Sequence, residues 1–257
     1  PAATETCGDG RDDDCDGIDP GCSFAATEDI DTAWWTVHGE RSNYTGTRIV
    51  GLGDVNGDGH DDIAVGSPGT DSVSIWFGPL SEGPTRTGSP DLLVNGADSM
   101  GEVLEGAGDF DGDGLDDVVF GAPDSDDTHL DGGAVYVLLG STSLGGELTF
   151  PADADLVFTP EEEDDALGIS VVGGTDLNAD GYDDLLLGAQ LGNGRTYDEG
   201  AVYVVYGGLS AGTHSVASAD HIFGGESISD SAGYAAAFAG DVDADGHQDL
   251  LVGAPDM

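Results

Sequence analysis

The sequence predicts an all-β protein of β-propeller type, built from four-stranded blades. Three observations lead there. An acidic loop of pattern Asp-x-Asp/Asn-x-Asp-Gly-x-x-Asp recurs four times, starting at Asp54, Asp109, Asp176 and Asp241. Each loop stands at fixed distances from two glycines, one eight residues before its first Asp (Gly46, Gly101, Gly168, Gly233) and one twelve after (Gly66, Gly121, Gly188, Gly253). Between these landmarks the chain runs in short apolar segments with no helical periodicity, and its 44 glycines imply many tight turns.

The elements follow in order within each repeat. Thr47–Val50, Ile169–Val172 and Ala235–Phe238 read as a first strand before the loop. Ile63–Val65, Val118–Phe120, Leu185–Leu187 and Leu250–Val252 read as a buried second strand after it. Val73–Phe77, Ala134–Leu139 and Ala201–Tyr206 are rich in β-branched and aromatic residues and read as a third. Asp91–Val94, Asp155–Phe158 and His221–Phe223 give a fourth. The repeat spacings of 55, 67 and 65 residues suit one blade each. Ala33–Val37 reads as a lone fourth strand, and the last repeat reaches only its second. The expectation is about three full blades plus partial ones. The set is then either open, completed by a neighbouring chain, or part of a longer propeller, and the last reading is preferred. Residues 1–28 are set apart as a Cys/Asp-rich module, and 29–257 as the repeat domain.

Charge excludes several functions. There are 52 acidic residues against five basic ones, all Arg, for a net charge of −47. Such a surface repels nucleic-acid phosphates and anionic lipid headgroups. No segment approaches the ~18 apolar residues of a membrane-spanning helix. The first residues, Pro-Ala-Ala-Thr, form no signal peptide. So much like charge destabilises a compact state unless cations neutralise it.

The loops supply the chemistry for that. A hard divalent cation such as calcium takes six to eight oxygen ligands. Alternate positions 1, 3 and 5 of a tight loop present side-chain oxygens, a glycine at 6 permits the sharp turn, position 7 offers its carbonyl and position 9 closes with a carboxylate. The candidate ligands are Asp54, Asn56, Asp58, His60 and Asp62; Asp109, Asp111, Asp113, Leu115 and Asp117; Asp176, Asn178, Asp180, Tyr182 and Asp184; and Asp241, Asp243, Asp245, His247 and Asp249. At position 7 the backbone carbonyl is the donor, so His60 and His247 are not read as zinc ligands. The loop is not an EF-hand, which needs a Glu at position 12 and flanking helices. Asp and Gly also dominate metal-free turns, but four complete copies favour the metal.

These residues resemble the FG-GAP repeat of the integrin α-subunit propeller and of many secreted bacterial proteins. The Gly-Ala-Pro part stands as Gly121-Ala122-Pro123 and Gly253-Ala254-Pro255, with variants Gly66-Ser67-Pro68 and Gly188-Ala189-Gln190. The Phe-Gly part departs, since Thr45, Met100, Leu167 and Ala232 precede the glycine. The resemblance covers about residues 33–257 and implies a propeller with mainly structural calcium between the first two strands of each blade. It leaves the partner open.

The N-terminal run from Cys7 to Cys22 resembles the Cys/Asp-rich metal-binding repeat of secreted bacterial proteins, and more loosely thrombospondin type 3 repeats. Asp12, Asp14 and Asp16 fit positions 1, 3 and 5 of a fifth calcium loop, although Pro20 at position 9 cannot close it. Cys7–Cys15 is the preferred disulfide of the three cysteines, and the alternative for the whole stretch is an acidic linker.

Catalytic motifs are weak. Gly208-Leu209-Ser210-Ala211-Gly212 matches Gly-x-Ser-x-Gly, but a nucleophile elbow must open a helix, and none follows. No His-Glu-x-x-His or P-loop motif is present. The one glycosylation sequon is Asn43-Tyr44-Thr45. The functional expectation is a secreted or cell-surface, calcium-stabilised structural or adhesion protein, not an enzyme. Its partner is a protein or glycan at the cell surface, or other copies of itself in a fibre or matrix. The alternatives are a monomeric ligand-binding propeller and, less favoured, a carbohydrate-active enzyme.

Overall fold

In the computed structural model each acidic loop joins the first and second strands of an antiparallel sheet. The structure describes residues 37–39, 42–80, 89–96, 99–127, 129–192, 194 and 198–257. Apart from Val37 these all belong to one unit, His38–Ser81 with Gly88–Met257. The Cys/Asp-rich module, with Asp12, Asp14, Asp16 and the three cysteines, lies outside the described residues, as does the lone strand expected at Ala33–Val37 except for its last residue.

The first sheet contains β1 (Ile49–Gly53), β2 (Asp62–Ser67), β3 (Ser72–Trp76) and β4 (Leu92–Asn95). The second contains β5 (Val103–Gly108), β6 (Asp117–Ala122), β7 (Ala134–Leu138) and, after the short β8 (Gly146–Thr149), β9 (Leu156–Thr159). The third contains β10 (Leu167–Thr175), β11 (Asp184–Ala189), β12 (Ala201–Val205) and, after β13 (Gly212–Ser215), β14 (His221–Gly224). The fourth pairs β15 (Ala235–Gly240) with β16 (Asp249–Gly253). This is the predicted blade order, with the first strands packed in succession, β1 on β5, β5 on β10 and β10 on β15.

Burial explains why these segments are strands. Side chains alternate between the two faces of a sheet. Val118 and Phe120 of β6 join Val73, Ile75 and Leu92 in a core between the first and second sheets. Val119 between them faces the other way, into a core with Leu185, Leu187 and Tyr203 of the third sheet. Leu186 turns to a third cluster, against which Phe238 and Leu250 of the fourth sheet pack. Middle sheets covered on both faces need continuous apolar runs, and β7, β12 and, after their leading Asp, β6 and β11 are such runs.

The fixed glycines meet one another across this packing. A Cβ on Gly66 would lie 1.9 Å from the Gly101 carbonyl oxygen, one on Gly121 2.1 Å from that of Gly168, and one on Gly188 2.1 Å from that of Gly233. The partner glycines have φ of +93°, +94° and +86°, the left-handed region that favours glycine. The glycine after one loop is therefore the docking surface for the glycine before the next. Met100, Leu167 and Ala232, which stand where Phe precedes the glycine in the Phe-Gly pattern, are all buried, so the place remains an apolar plug.

Three strands escape the sequence reading. The segment Val-Leu-Glu-Gly-Ala-Gly of β5 is interrupted by Glu105, whose carboxylate pairs with Arg48 of the preceding repeat. The strands β8 (Gly-Glu-Leu-Thr) and β13 (Gly-Thr-His-Ser) are short and mostly exposed. Each leaves its own repeat to pair in parallel with the outermost strand of the one before, β8 on β4 and β13 on β9. Backbone pairing holds them, and composition does not betray it. The described helical structure is two single 3-10 turns, Pro68–Thr70 and Val216–Ser218.

Candidate metal centres

Each loop is organised by carboxylates that fold the backbone around themselves. In the first, Asp54 Oδ1 accepts from the Gly57 and Asp58 amides at 2.8 and 3.0 Å, and its Oδ2 from Gly59 at 2.8 Å. Asn56 Oδ1 accepts from the Asp58 amide at 2.8 Å, and Asp58 Oδ1 from the His60 amide at 3.0 Å. The third loop repeats this with Asp176, Asn178, Asp180 and the Tyr182 amide. The fourth does so with Asp241, Asp243, Asp245 and the His247 amide. In the second, Asp109 Oδ2 accepts from Gly114, Asp111 from Asp113 and Asp113 from Leu115. The position-6 glycines Gly59, Gly114, Gly181 and Gly246 all have φ near +90°.

The closing residue is built differently. Asp62, Asp117 and Asp184 are fully buried at the foot of the second strand. Each is gripped by two amides, those of Val55 and Gly78 on Asp62, Phe110 and Gly140 on Asp117, and Leu177 and Gly207 on Asp184, at 2.7 to 3.0 Å. Asp249 receives the Val242 amide at 2.8 Å. The closing carboxylate thus ties the loop to its own sheet and, in the first three repeats, to the turn after the third strand.

The geometry draws positions 1, 3 and 9 together. Carboxylate oxygens of Asp109, Asp111 and Asp117 lie within 4.8 Å of one another, as do those of Asp241, Asp243 and Asp249. Asp113 and Asp245 at position 5 stand outside these groups. In the first and third loops position 3 is Asn56 or Asn178, so these loops carry one charge fewer. His60 and His247 are exposed, in keeping with a backbone role.

Electrostatics show what these groups lack. Burial pushes the Asp117 carboxyl up to about 7 despite its two amide donors, with the Asp111 charge adding to the rise. Burial likewise raises Asp62, Asp111 and Asp184, each with neighbouring loop carboxylates adding to it. Asp109 Oδ1 is buried with no hydrogen-bond partner, an expensive arrangement for an oxygen left unserved. Converging carboxylates, one of which carries an orphaned oxygen, fit a hard divalent cation, which would favour the charged forms and serve that oxygen. The ion pair between described residues is Arg48 with Glu105, so side-chain cations do little of this work in the described structure.

Two further carboxylates of the loops escaped the sequence reading, Asp116 and Asp183 at position 8 of the second and third loops. Each accepts the amide of the first residue of the loop before it, Asp116 from Asp54 at 2.8 Å and Asp183 from Asp109 at 3.0 Å. The signal was present, since Asp61, Asp116 and Asp183 all occupy a place the pattern leaves free. The Gly-x-Ser-x-Gly string leads into the strand Gly212–Ser215, and the Ser210 carbonyl contacts His214 Nε2 at 2.9 Å, so a nucleophile elbow has no helix to open. Among the described residues no helix is long and apolar enough to cross a membrane.

Comparison with known proteins agrees with the repeat and the sheets. The FG-GAP repeat matches residues 46–89, 105–138, 167–205 and 232–256, together more than half of the chain. Integrin alpha-IIb of Homo sapiens is 30% identical over 186 residues, 65% of this chain and 17% of that protein. Integrin alpha-5 of Xenopus laevis is 35% identical over 149 residues, 53% and 14%. The phosphatidylinositol-glycan-specific phospholipase D of Dictyostelium discoideum is 29% identical over 257 residues, 89% and 27%. The chain spans less than a third of the length of each of these relatives. With four matched repeats, each carrying its acidic loop between the first two strands of a sheet, the chain belongs to the FG-GAP repeat family.

Proposed function

We propose that this chain is the calcium-stabilised propeller portion of an extracellular adhesion protein, with one calcium ion in each of the four acidic loops. The observation that carries the reading is the buried, unpartnered Asp109 Oδ1 beside the converged carboxylates of Asp111 and Asp117. Ligands in each loop are the side chains at positions 1, 3, 5 and 9 and the carbonyl at 7 (His60, Leu115, Tyr182, His247). The ion supplies charge neutralisation and oxygen coordination. The protein residues hold their oxygens in place, and no bond of a substrate is made or broken. Calorimetric titration of the chelator-treated chain tests the site count: four calcium ions from the loops, or five with one more in residues 1–28, support it, and none overturns it.

The adhesion role rests on the family and on the integrin relatives, which share the repeats with this chain. The partner in this reading is a protein or glycan at a cell surface. The phospholipase relative keeps a catalytic reading in view, and phospholipase activity in the purified chain would displace the adhesion role. A self-assembling fibre draws support from exposed Phe223 on the edge strand β14. Particle images decide it, because discrete particles contradict a fibre. Residues 1–28 are assigned to a separate Cys/Asp-rich module ahead of the repeat domain at 29–257. A fifth calcium there uses Asp12, Asp14 and Asp16, so deleting 1–28 is expected to lower the stoichiometry by one.

A further inference from the structure

The loops are not independent of one another. The main chain just before the first loop passes under Asp116 of the second repeat. Asp116 Oδ2 accepts the Asp54 amide at 2.8 Å, and the Asp116 amide donates to the Asp54 carbonyl at 3.2 Å. The same two-point contact recurs one repeat on, where Asp183 Oδ2 accepts the Asp109 amide and the Asp183 amide donates to the Asp109 carbonyl, both at 3.0 Å. Each contact closes over a glycine. A Cβ on Gly53 would lie 2.1 Å from Asp116 Oδ2, and one on Gly108 2.0 Å from Asp183 Oδ2, and both glycines have positive φ, +78° and +67°. The third loop provides the contrast. Thr175 replaces the glycine before it, Gln248 replaces the carboxylate in the next repeat, and Gln248 makes no such bond to Asp176 among the described residues.

The residue held in this way is the position-1 ligand of the preceding loop. A second contact reinforces it: the position-7 side chain of the later loop covers the position-4 glycine of the earlier one, Leu115 over Gly57 and Tyr182 over Gly112. We propose that Asp116 and Asp183 are positioning residues, through which docking of one blade fixes the first ligand of the cation site in the blade before it. Cation binding to the first and second loops is then coupled to the seating of the second and third blades. The third loop, with Gln248 beside it, lacks that coupling. The inference rests on the calcium reading above.

The test is the whole chain with Asp183→Ala and Asp183→Asn, followed by amide NMR against free calcium. The carboxamide keeps an acceptor oxygen for the Asp109 amide but removes the charge. Positioning predicts that Asp183→Ala weakens the second loop about tenfold, the scale of one hydrogen bond to a charged group. It also predicts that Asp183→Asn stays within about twofold on the same reasoning, and that the third loop, which contains Asp183, moves less than the second. A role through charge alone predicts equal losses for both variants and the larger loss in the third loop, and that result overturns the proposal. In chelator, Asp183→Ala should speed exchange of the Asp109 amide, and Asp183→Asn should not. This arm needs no metal, so it separates failure of the positioning role from failure of the calcium reading.

Discussion

At the scale of single residues, the buried closing carboxylates decide how the protein responds to pH. The folded Asp117 carboxyl sits near 7 without metal, against about 4 in an unfolded chain. The folded state therefore binds more protons between those values, and stability of the metal-free protein falls as pH rises through that window. Calcium reverses the preference, because it binds the carboxylate that the proton would occupy. Thermal melts should show the chelated protein more stable at pH 5.5 than at pH 8, with the calcium increment larger at pH 8. An increment independent of pH would remove Asp117 from the ligand set. Asp117→Ala should cost about 2 kcal/mol or more even without calcium, since the Phe110 and Gly140 amides lose their buried acceptor. Urea unfolding in chelator measures that.

At the scale of elements, the landmark glycines carry the blade contacts. Gly121→Ala places its Cβ against the Gly168 carbonyl and should cost about 2 kcal/mol or more, because backbone on both sides must move. Gly51→Ala in β1 meets nothing within 4 Å and should change stability by less than about 1 kcal/mol. Denaturant midpoints of the two variants compare them directly, and equal effects would contradict the docking role. The same glycines mark what the sequence made readable. Their constant offsets expose the repeat, and the apolar runs of β6 and β11 after their leading Asp expose the middle strands, because burial on both faces leaves no polar position beyond that Asp. The strand β5 was hidden by Glu105, whose charge is satisfied by Arg48 from another repeat. The strands β8 and β13 were hidden because they are held by backbone bonds to a neighbouring sheet. Asp116 and Asp183 were overlooked among ligands, since a carboxylate serving a main-chain amide has the same letter as one serving a metal.

At the scale of the whole molecule, 52 acidic residues against five basic ones set the balance. Self-repulsion of that size opposes compaction. In chelator, raising monovalent salt from low ionic strength to about 1 M shortens the screening length to about 3 Å and should raise the melting temperature. With calcium bound the gain should be smaller. Each site filled at a hundred times its dissociation constant adds about 2.7 kcal/mol to folding stability. Four such sites amount to much of the roughly 5–15 kcal/mol by which domains are stable at all.

The most direct measurement is the melting temperature of the whole chain in millimolar calcium and again in excess chelator. Four structural ions predict a fall of about 20 °C or more, restored when calcium is returned. An unchanged melting curve in chelator would contradict the claim that the acidic loops are calcium sites that hold the blades in shape.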